Sequence, residues 1–174
     1  MNKKTTSQEK EISTKEIVQI GSKVLRRVSK SVSIDSITGS VIQNIITNMH
    51  MTLSATSNGV ALAAPQIGEN VRIFIISPKA FENPDDEHLV YINPEIIKLS
   101  KKKVPMEEGC LSVRGIYGLT QRHRQATVRA YDENGQQFER GGSGLLAQIF
   151  QHEIDHLDGI LFNEHARDLR EENQ

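Results

Sequence analysis

A chain of 174 residues, 37% hydrophobic and 25% charged, can form one domain that buries roughly two thirds of its unfolded surface, with no comfortable room for a second. Its formal net charge of -1 gives no electrostatic case for nucleic acid or an anionic membrane as main partner, and no apolar run approaches the ~20 residues that span a bilayer. The single cysteine, Cys110, excludes an intramolecular disulfide, and the N-terminal residues lack the apolar stretch of a signal peptide, so the expected location is the cytoplasm.

Residues 1–16 are polar, rich in Lys, Glu, Ser and Thr, and without periodicity, which predicts a disordered leader before a catalytic domain over residues 17–162. Beyond Gly21, Val24, Leu25 and Val28 make a short helical face. Asp35 or Ser36 is then placed to cap a helix whose apolar positions are Val41, Ile42, Ile45, Ile46, Met49 and Leu53, closed by Asn58-Gly59. Residues 71–77 read as a buried strand, and residues 89–92 and 95–99 as two more, separated at Asn93-Pro94. Lys101-Lys102-Lys103 marks a solvated turn. Ile116-Tyr117-Gly118-Leu119 is extended, and residues 126–131 pair with 137–140 across Asp132-Glu133-Asn134-Gly135. Gly141-Gly142-Ser143-Gly144 gives a flexible approach to a second helix, and residues 163–174 form a short charged tail. Consecutive strands without helical crossovers imply an α+β fold with mainly antiparallel sheets.

The second helix carries the chemistry. In His152-Glu153-Ile154-Asp155-His156 the two histidines lie about 40° apart at 100° per residue, the spacing at which two imidazoles share a metal. Glu153 projects near His156, within reach of a water on that metal as general base. Leu146, Phe150, Ile154, Leu157 and Leu161 gather on a neighbouring face, while Gln148, Gln151, Asp155 and Asp158 form a narrow polar strip for solvent or for partners of the ligands. Two buried, hydrogen-bonded histidines would show the same spacing, so the motif needs a third ligand. Cys110 is one candidate: a lone cysteine is often a small buried hydrophobe, but the preceding Gly109 and the charged Glu107-Glu108 argue against a core strand interior. Taken alone, Gln66 reads as an exposed loop amide.

Three segments, Gly59-Val60-Ala61-Leu62-Ala63-Ala64-Pro65-Gln66, Glu108-Gly109-Cys110-Leu111-Ser112 and Gln151-His152-Glu153-Ile154-Asp155-His156-Leu157-Asp158-Gly159, resemble in order and spacing the signature motifs of the peptide deformylases. Ile17-Val18-Gln19-Ile20-Gly21 and Val90-Tyr91-Ile92-Asn93-Pro94-Glu95 also read like that family. The resemblance implies sheets wrapped around a central metal-binding helix, with Cys110, His152 and His156 as ligands and Glu153 as general base. It further implies the Leu111 backbone N–H and the Gln66 amide as oxyanion donors. Gly59, Val60, Ala61, Glu108, Gly109, Leu145 and Ile149 match substrate-binding positions, several of them lining a methionine pocket together with His152. The implied reaction is hydrolysis of the N-formyl group from the initiator methionine of nascent peptides, releasing formate. Fe(II) is the metal suggested, and a Cys-His-His set also suits zinc, nickel or cobalt. Arg122 stands where the family keeps an arginine and is expected to pair with Asp155.

Three departures accompany the resemblance. Ala61 replaces a glycine, adding a Cβ where a substrate backbone would approach. Arg114 stands where a proline commonly follows the cysteine motif. The short tail lacks the long basic helix by which some members dock on ribosomes, so a transient ribosome encounter is the most expected. Two other readings stay open: a different His-Glu-x-x-His peptidase with Glu164 or His165 as third ligand, and a metal-binding paralogue without activity.

Overall fold

The computed structural model describes residues 11–81 and 89–172. Residues 1–10, most of the expected leader, and the expected loop at Pro84-Asp85-Asp86 lie outside the described residues. Among the described residues two α-helices, α1 (Ser40–Ser54) and α2 (Gly144–Leu157), accompany eight strands: β1 (Ala61–Ala63), β2 (Ile73–Ile76), β3 (Val90–Leu99), β4 (Lys103–Cys110), β5 (Val113–His123), β6 (Gln125–Tyr131), β7 (Gln137–Ser143) and β8 (Arg167–Glu171). They form a five-stranded sheet ordered β1-β2-β3-β6-β7 and a three-stranded sheet ordered β4-β5-β8, and all strand pairs within these sheets are antiparallel.

Period-two alternation explains how the larger sheet takes a helix on each face. Leu62, Ile73, Ile75, Val90 and Ile92 join the core beneath α1, with Ile42, Ile45, Met49 and Leu53. Their neighbours Ala61, Ala63, Phe74, Ile76 and Tyr91 turn the other way and, with Ala126, Val128 and Ala130, meet Ala147, Phe150, Ile154 and Leu157 of α2. The other side of α2 meets the smaller sheet. Helix α2 therefore lies between the two sheets, and the positions expected to carry chemistry sit at its junction with β4 and β5.

Several expected boundaries move, each for a local reason. Residues 34–36 form a separate 3-10 turn and α1 starts after Gly39, so Asp35 and Ser36 do not cap it. The helix closes at Ala55 before Asn58-Gly59: the Ala55 N–H donates to both the Met51 and Thr52 carbonyls, and the Thr56 N–H then turns to the Leu53 carbonyl, tightening the last turn. Val28 is exposed, leaving Leu25 as the buried residue of a 3-10 turn. Residues 89–92 and 95–99 belong to one strand: Asn93 absorbs the irregularity in a left-handed conformation, φ 50°, with the register shifting between Ile92 and Glu95. Its side chain holds the chain at Val32 through two 2.8 Å hydrogen bonds, to the N–H and the C=O. Gly141, Gly142 and Ser143 complete β7 and are paired, not a loose approach. Strand β8 forms within the stretch read as a charged tail, and residues of the expected leader are tied to α1, where the Ser13 N–H reaches Asn48 Oδ1 at 2.7 Å and the Lys15 N–H reaches Thr52 Oγ1 at 2.9 Å.

Candidate metal centre

Helix α2 brings His152 and His156 one turn apart, with ring centroids 4.9 Å from each other. Strand β4 ends at Cys110, whose Sγ lies 3.2 Å from His156 Nε2. One ligand atom from each of these three residues falls within 4.8 Å of the others, close enough to share one ion. Glu164 and His165 lie outside this group. Glu164 accepts the Leu161 N–H at 2.6 Å and pairs with Arg26, and His165 Nε2 sits 3.6 Å from Asp155.

The sulfur is prepared to ligate. Burial raises a thiol's pKa, but the neighbouring His156 and His152 outweigh it and bring Cys110 down to about 5. Burial works against a charged imidazole at His152, yet the Cys110 sulfur and the Glu108 carboxylate raise it well above its ordinary value. Because Nδ1 of His152 is 3.0 Å from Glu108 Oε2, its Nε2 is left to face the sulfur and His156.

Behind His152 lies a buried ionic chain that fixes the helix against the smaller sheet. Glu108 is 4% exposed, and its Oε1 takes Arg122 Nε at 2.6 Å and Thr120 Oγ1 at 2.7 Å while Oε2 takes Arg122 Nη2 at 3.0 Å. Burial opposes the charge of Glu108, but the hydrogen bonds from His152 and Arg122 hold its carboxyl far below the usual range. Arg122 Nη1 then reaches Asp155 Oδ2 at 2.6 Å, the pairing expected from the sequence. Gln148 donates to the Glu107 carbonyl at 2.7 Å, and Gln151 exchanges 2.9 Å bonds with the N–H and C=O of His123. Gln148, Gln151 and Asp155 of the polar strip are thus met by strands β4 and β5, while Asp158 stays exposed and pairs with Arg72 at 2.7 Å. Glu108, expected among the substrate contacts, lines the cleft beside Glu153 while both its carboxylate oxygens serve Arg122, Thr120 and His152. The available signal was the alternation Gly118, Thr120, Arg122, which puts three buried positions on one face of β5.

Glu153 is 4% exposed, and burial pushes its pKa up to about 7. Its Oε2 has no hydrogen-bond partner, nor has Nδ1 of His156. A buried polar atom left without a partner is costly. A water held at the Cys110, His152 and His156 cluster would meet Glu153, so the residues present fit a catalytic ion in their donor set and in this unmet acceptor.

A cleft of about 160 Å³ opens beside Glu153, lined by Val60, Gly109, Leu145, Ile149 and His152 among others. Gly109 is required there because a Cβ would stand 2.6 Å from the Tyr117 ring. Gly59 is packed more closely still: a Cβ there would collide first with Thr56 Oγ1 and would stand 2.8 Å from Leu53 Cδ1 and 3.1 Å from Leu111 Cδ1. Ala61 does not line this cleft; it belongs to the core beneath α2. Arg114 is exposed, in a strand segment beside a second cavity that Cys110 and Leu111 also line. Gln66, in the 3-10 turn after β1, is 2% exposed and not a loop amide in solvent. Its Oε1 accepts the Ala63 N–H at 2.8 Å, which aims Nε2 at Ser112 Oγ, 3.2 Å away, and at Cys110 Sγ, 3.6 Å away.

Residues 14–172 match the family model described as polypeptide deformylase. The peptide deformylase of Desulforudis audaxviator (strain MP104C) is 42% identical over 151 residues, covering 87% of this chain and 92% of that protein. Among solved structures, a peptide deformylase from Synechococcus elongatus in complex with actinonin superposes with TM-score 0.78 at 35% identity, over 88% of this chain and 80% of that one. A class I type b peptide deformylase from Acinetobacter baumannii bound to Met-Ala-Ser superposes with TM-score 0.80 at 31% identity, over 89% and 99% of the two chains.

Proposed function

The chain belongs to the peptide deformylase family, and from that premise we propose which of its residues remove the N-formyl group from the methionine of nascent peptides. Cys110, His152 and His156 hold one divalent metal, Fe(II) in the native enzyme, with zinc, nickel or cobalt compatible with the same donors. When bound, the ion supplies Lewis acidity, polarising the formyl carbonyl and acidifying a water. Glu153 takes the proton of the attacking water and returns it to the departing amine nitrogen, a task suited to a carboxyl whose pKa burial has brought to about 7. As the carbonyl oxygen gains charge, the Leu111 N–H and the Gln66 amide face it. Gln66 is set for this by the Ala63 N–H, which fixes its oxygen and so orients its nitrogen.

Val60, Gly109, Leu145 and Ile149 receive the methionine side chain, a flexible apolar group matched to the cleft they line. Glu108 acts behind His152, and Gly59 acts by letting Leu53 and Leu111 close together. Ala61 leaves the activity intact, since its methyl adds to the core beneath α2. No helix among the described residues is long and apolar enough to cross a membrane, and the reading is a cytoplasmic enzyme with one catalytic domain that meets the ribosome transiently at most.

The observation that carries this reading is the partnerless Oε2 of buried Glu153 beside three residues that can share an ion. Glu153→Gln keeps the shape and removes the basic oxygen. Its kcat for formate release from formyl-Met-Ala-Ser is expected to fall about 10²- to 10⁴-fold with metal content unchanged. A loss below about tenfold in a fully loaded variant overturns Glu153 as the base.

A further inference from the structure

The motif Ile17-Val18-Gln19-Ile20 has no place in the chemistry above, yet its backbone reaches both sides of the oxyanion site. Residue 18 donates its N–H to the Gln66 carbonyl at 2.8 Å, and residue 20 donates to the Ser112 carbonyl at 2.8 Å. Between them, Gln19 Nε2 donates to the Ile17 carbonyl at 3.1 Å and to the Leu111 carbonyl at 3.0 Å. Four hydrogen bonds thus connect one short extended segment to itself and to two loops that are otherwise 44 residues apart, counting from Gln66 to Cys110. The Leu111–Ser112 peptide is held at both ends: its C=O accepts from Gln19, and its N–H points at Cys110 Sγ, 3.4 Å away. The Leu111 N–H belongs to the preceding Cys110–Leu111 peptide, so fixing the Leu111 carbonyl fixes the residue from which that N–H projects.

We propose that residues 17–20 are a clamp that sets the spacing of the Gln66 amide and the Leu111 N–H, and that Gln19 is the positioning residue that locks the Leu111–Ser112 peptide in place. The proposal rests on the reading of Gln66 and Leu111 as oxyanion donors. Donors of this kind act on charge that develops only in the transition state, so loosening them lowers kcat and leaves substrate affinity alone. Gln19 is half-buried and follows Ile17 and Val18, which pack against the cores, so its replacement is made with a side chain of similar length.

The test uses the full, metal-loaded chain and formyl-Met-Ala-Ser, with three variants. Gln19→Met keeps length and removes both donors; kcat is expected to fall about tenfold with KM and metal content unchanged. Gln19→Glu places an acceptor against two carbonyl oxygens and is expected to lose more. Gln66→Met measures the donor itself and is expected to lose the most, about 10²-fold. Hydrogen exchange gives a readout independent of turnover: the Leu111 and Ser112 amides should exchange about tenfold faster in Gln19→Met while the amides of α1 stay as they are. If Gln66→Met loses activity but Gln19→Met stays within twofold with unchanged exchange, the clamp is overturned and the oxyanion reading survives. If Gln66→Met also stays within twofold, the oxyanion reading fails and takes the clamp with it. A fall in melting temperature or metal content that accounts for the whole loss in Gln19→Met assigns the residue to general stability and overturns the proposal.

Discussion

The two faces of α2 hold the same helix by different physics. Toward the five-stranded sheet it offers Ala147, Phe150, Ile154 and Leu157, and Phe150 meets Tyr91 and Phe74 with ring centroids 5.4 and 6.4 Å away while those two rings stack at 4.5 Å. Such contacts are strong in sum and weak in direction. Toward the three-stranded sheet it offers Gln148, Gln151, His152 and Asp155, each engaged by a hydrogen bond or ion pair from β4 or β5. Those contacts add little net energy and fix angles, because a buried charge must keep its partners. One face makes the helix stay; the other decides where the imidazoles point.

That contrast can be broken from either side. The largest expected effect is on the apolar face: Phe150→Ala should destabilise the fold by about 3 to 5 kcal/mol, read by urea unfolding, while the folded fraction keeps the parent's metal affinity. A weakened affinity in the folded fraction would show that the aromatic stack also aims the ligands. On the polar face the order reverses. Glu108→Gln retains an acceptor but removes the charge between Arg122 and His152, and metal affinity measured by chelator competition should drop about 10- to 100-fold, or about 1.4 to 2.7 kcal/mol. Unchanged affinity would separate the ionic chain from the metal site.

The smallest effect belongs to neither face. The Leu161 N–H holds the Glu164 carboxyl below the usual range; burial is the next largest influence and opposes it, and Arg26 adds to the lowering. A depressed carboxyl stabilises the fold fully above its unfolded pKa and loses that contribution as pH falls through its folded value. Glu164→Gln should therefore differ from the parent by under about 1 kcal/mol at neutral pH, after solvent screening of a pair this exposed, and the difference should shrink below about pH 4. A gap that widens in acid would reverse the assignment.

How much of this could be read from the chain depended on whether a signal was local. His152, Glu153 and His156 show through helical periodicity, and the β6–β7 hairpin through Asp132-Glu133-Asn134-Gly135, because neighbours in sequence decide both. Arg122 with Asp155 came through family resemblance, as did the grouping of Cys110 with the histidines. What stayed hidden depends on tertiary partners. Strand β4 reads as a charged run because it is an edge strand with Lys103, Pro105 and Glu107 exposed, and its buried Glu108 is tolerable only once Arg122 and Thr120 arrive from β5. Strand β8 is exposed along its whole length and carries no hydrophobic alternation. At residues 93–94 an Asn-Pro pair normally ends a strand, and here the bonds from Asn93 to Val32 carry the strand through instead.

The separation between Cys110 and His156, 46 residues, has a consequence for how the enzyme comes into being. The β4–β5 hairpin joins close neighbours and can form early, presenting the sulfur and Glu108 together. The two imidazoles are synthesised later and reach the sulfur only after β6, β7 and all but the last residue of α2 have followed. A chain emerging from the ribosome therefore cannot assemble the Cys110, His152 and His156 group until His156 has been made. A stalled or truncated copy lacking His156 would lack one of the three residues that could share an ion, so ion capture and completion of the fold go together.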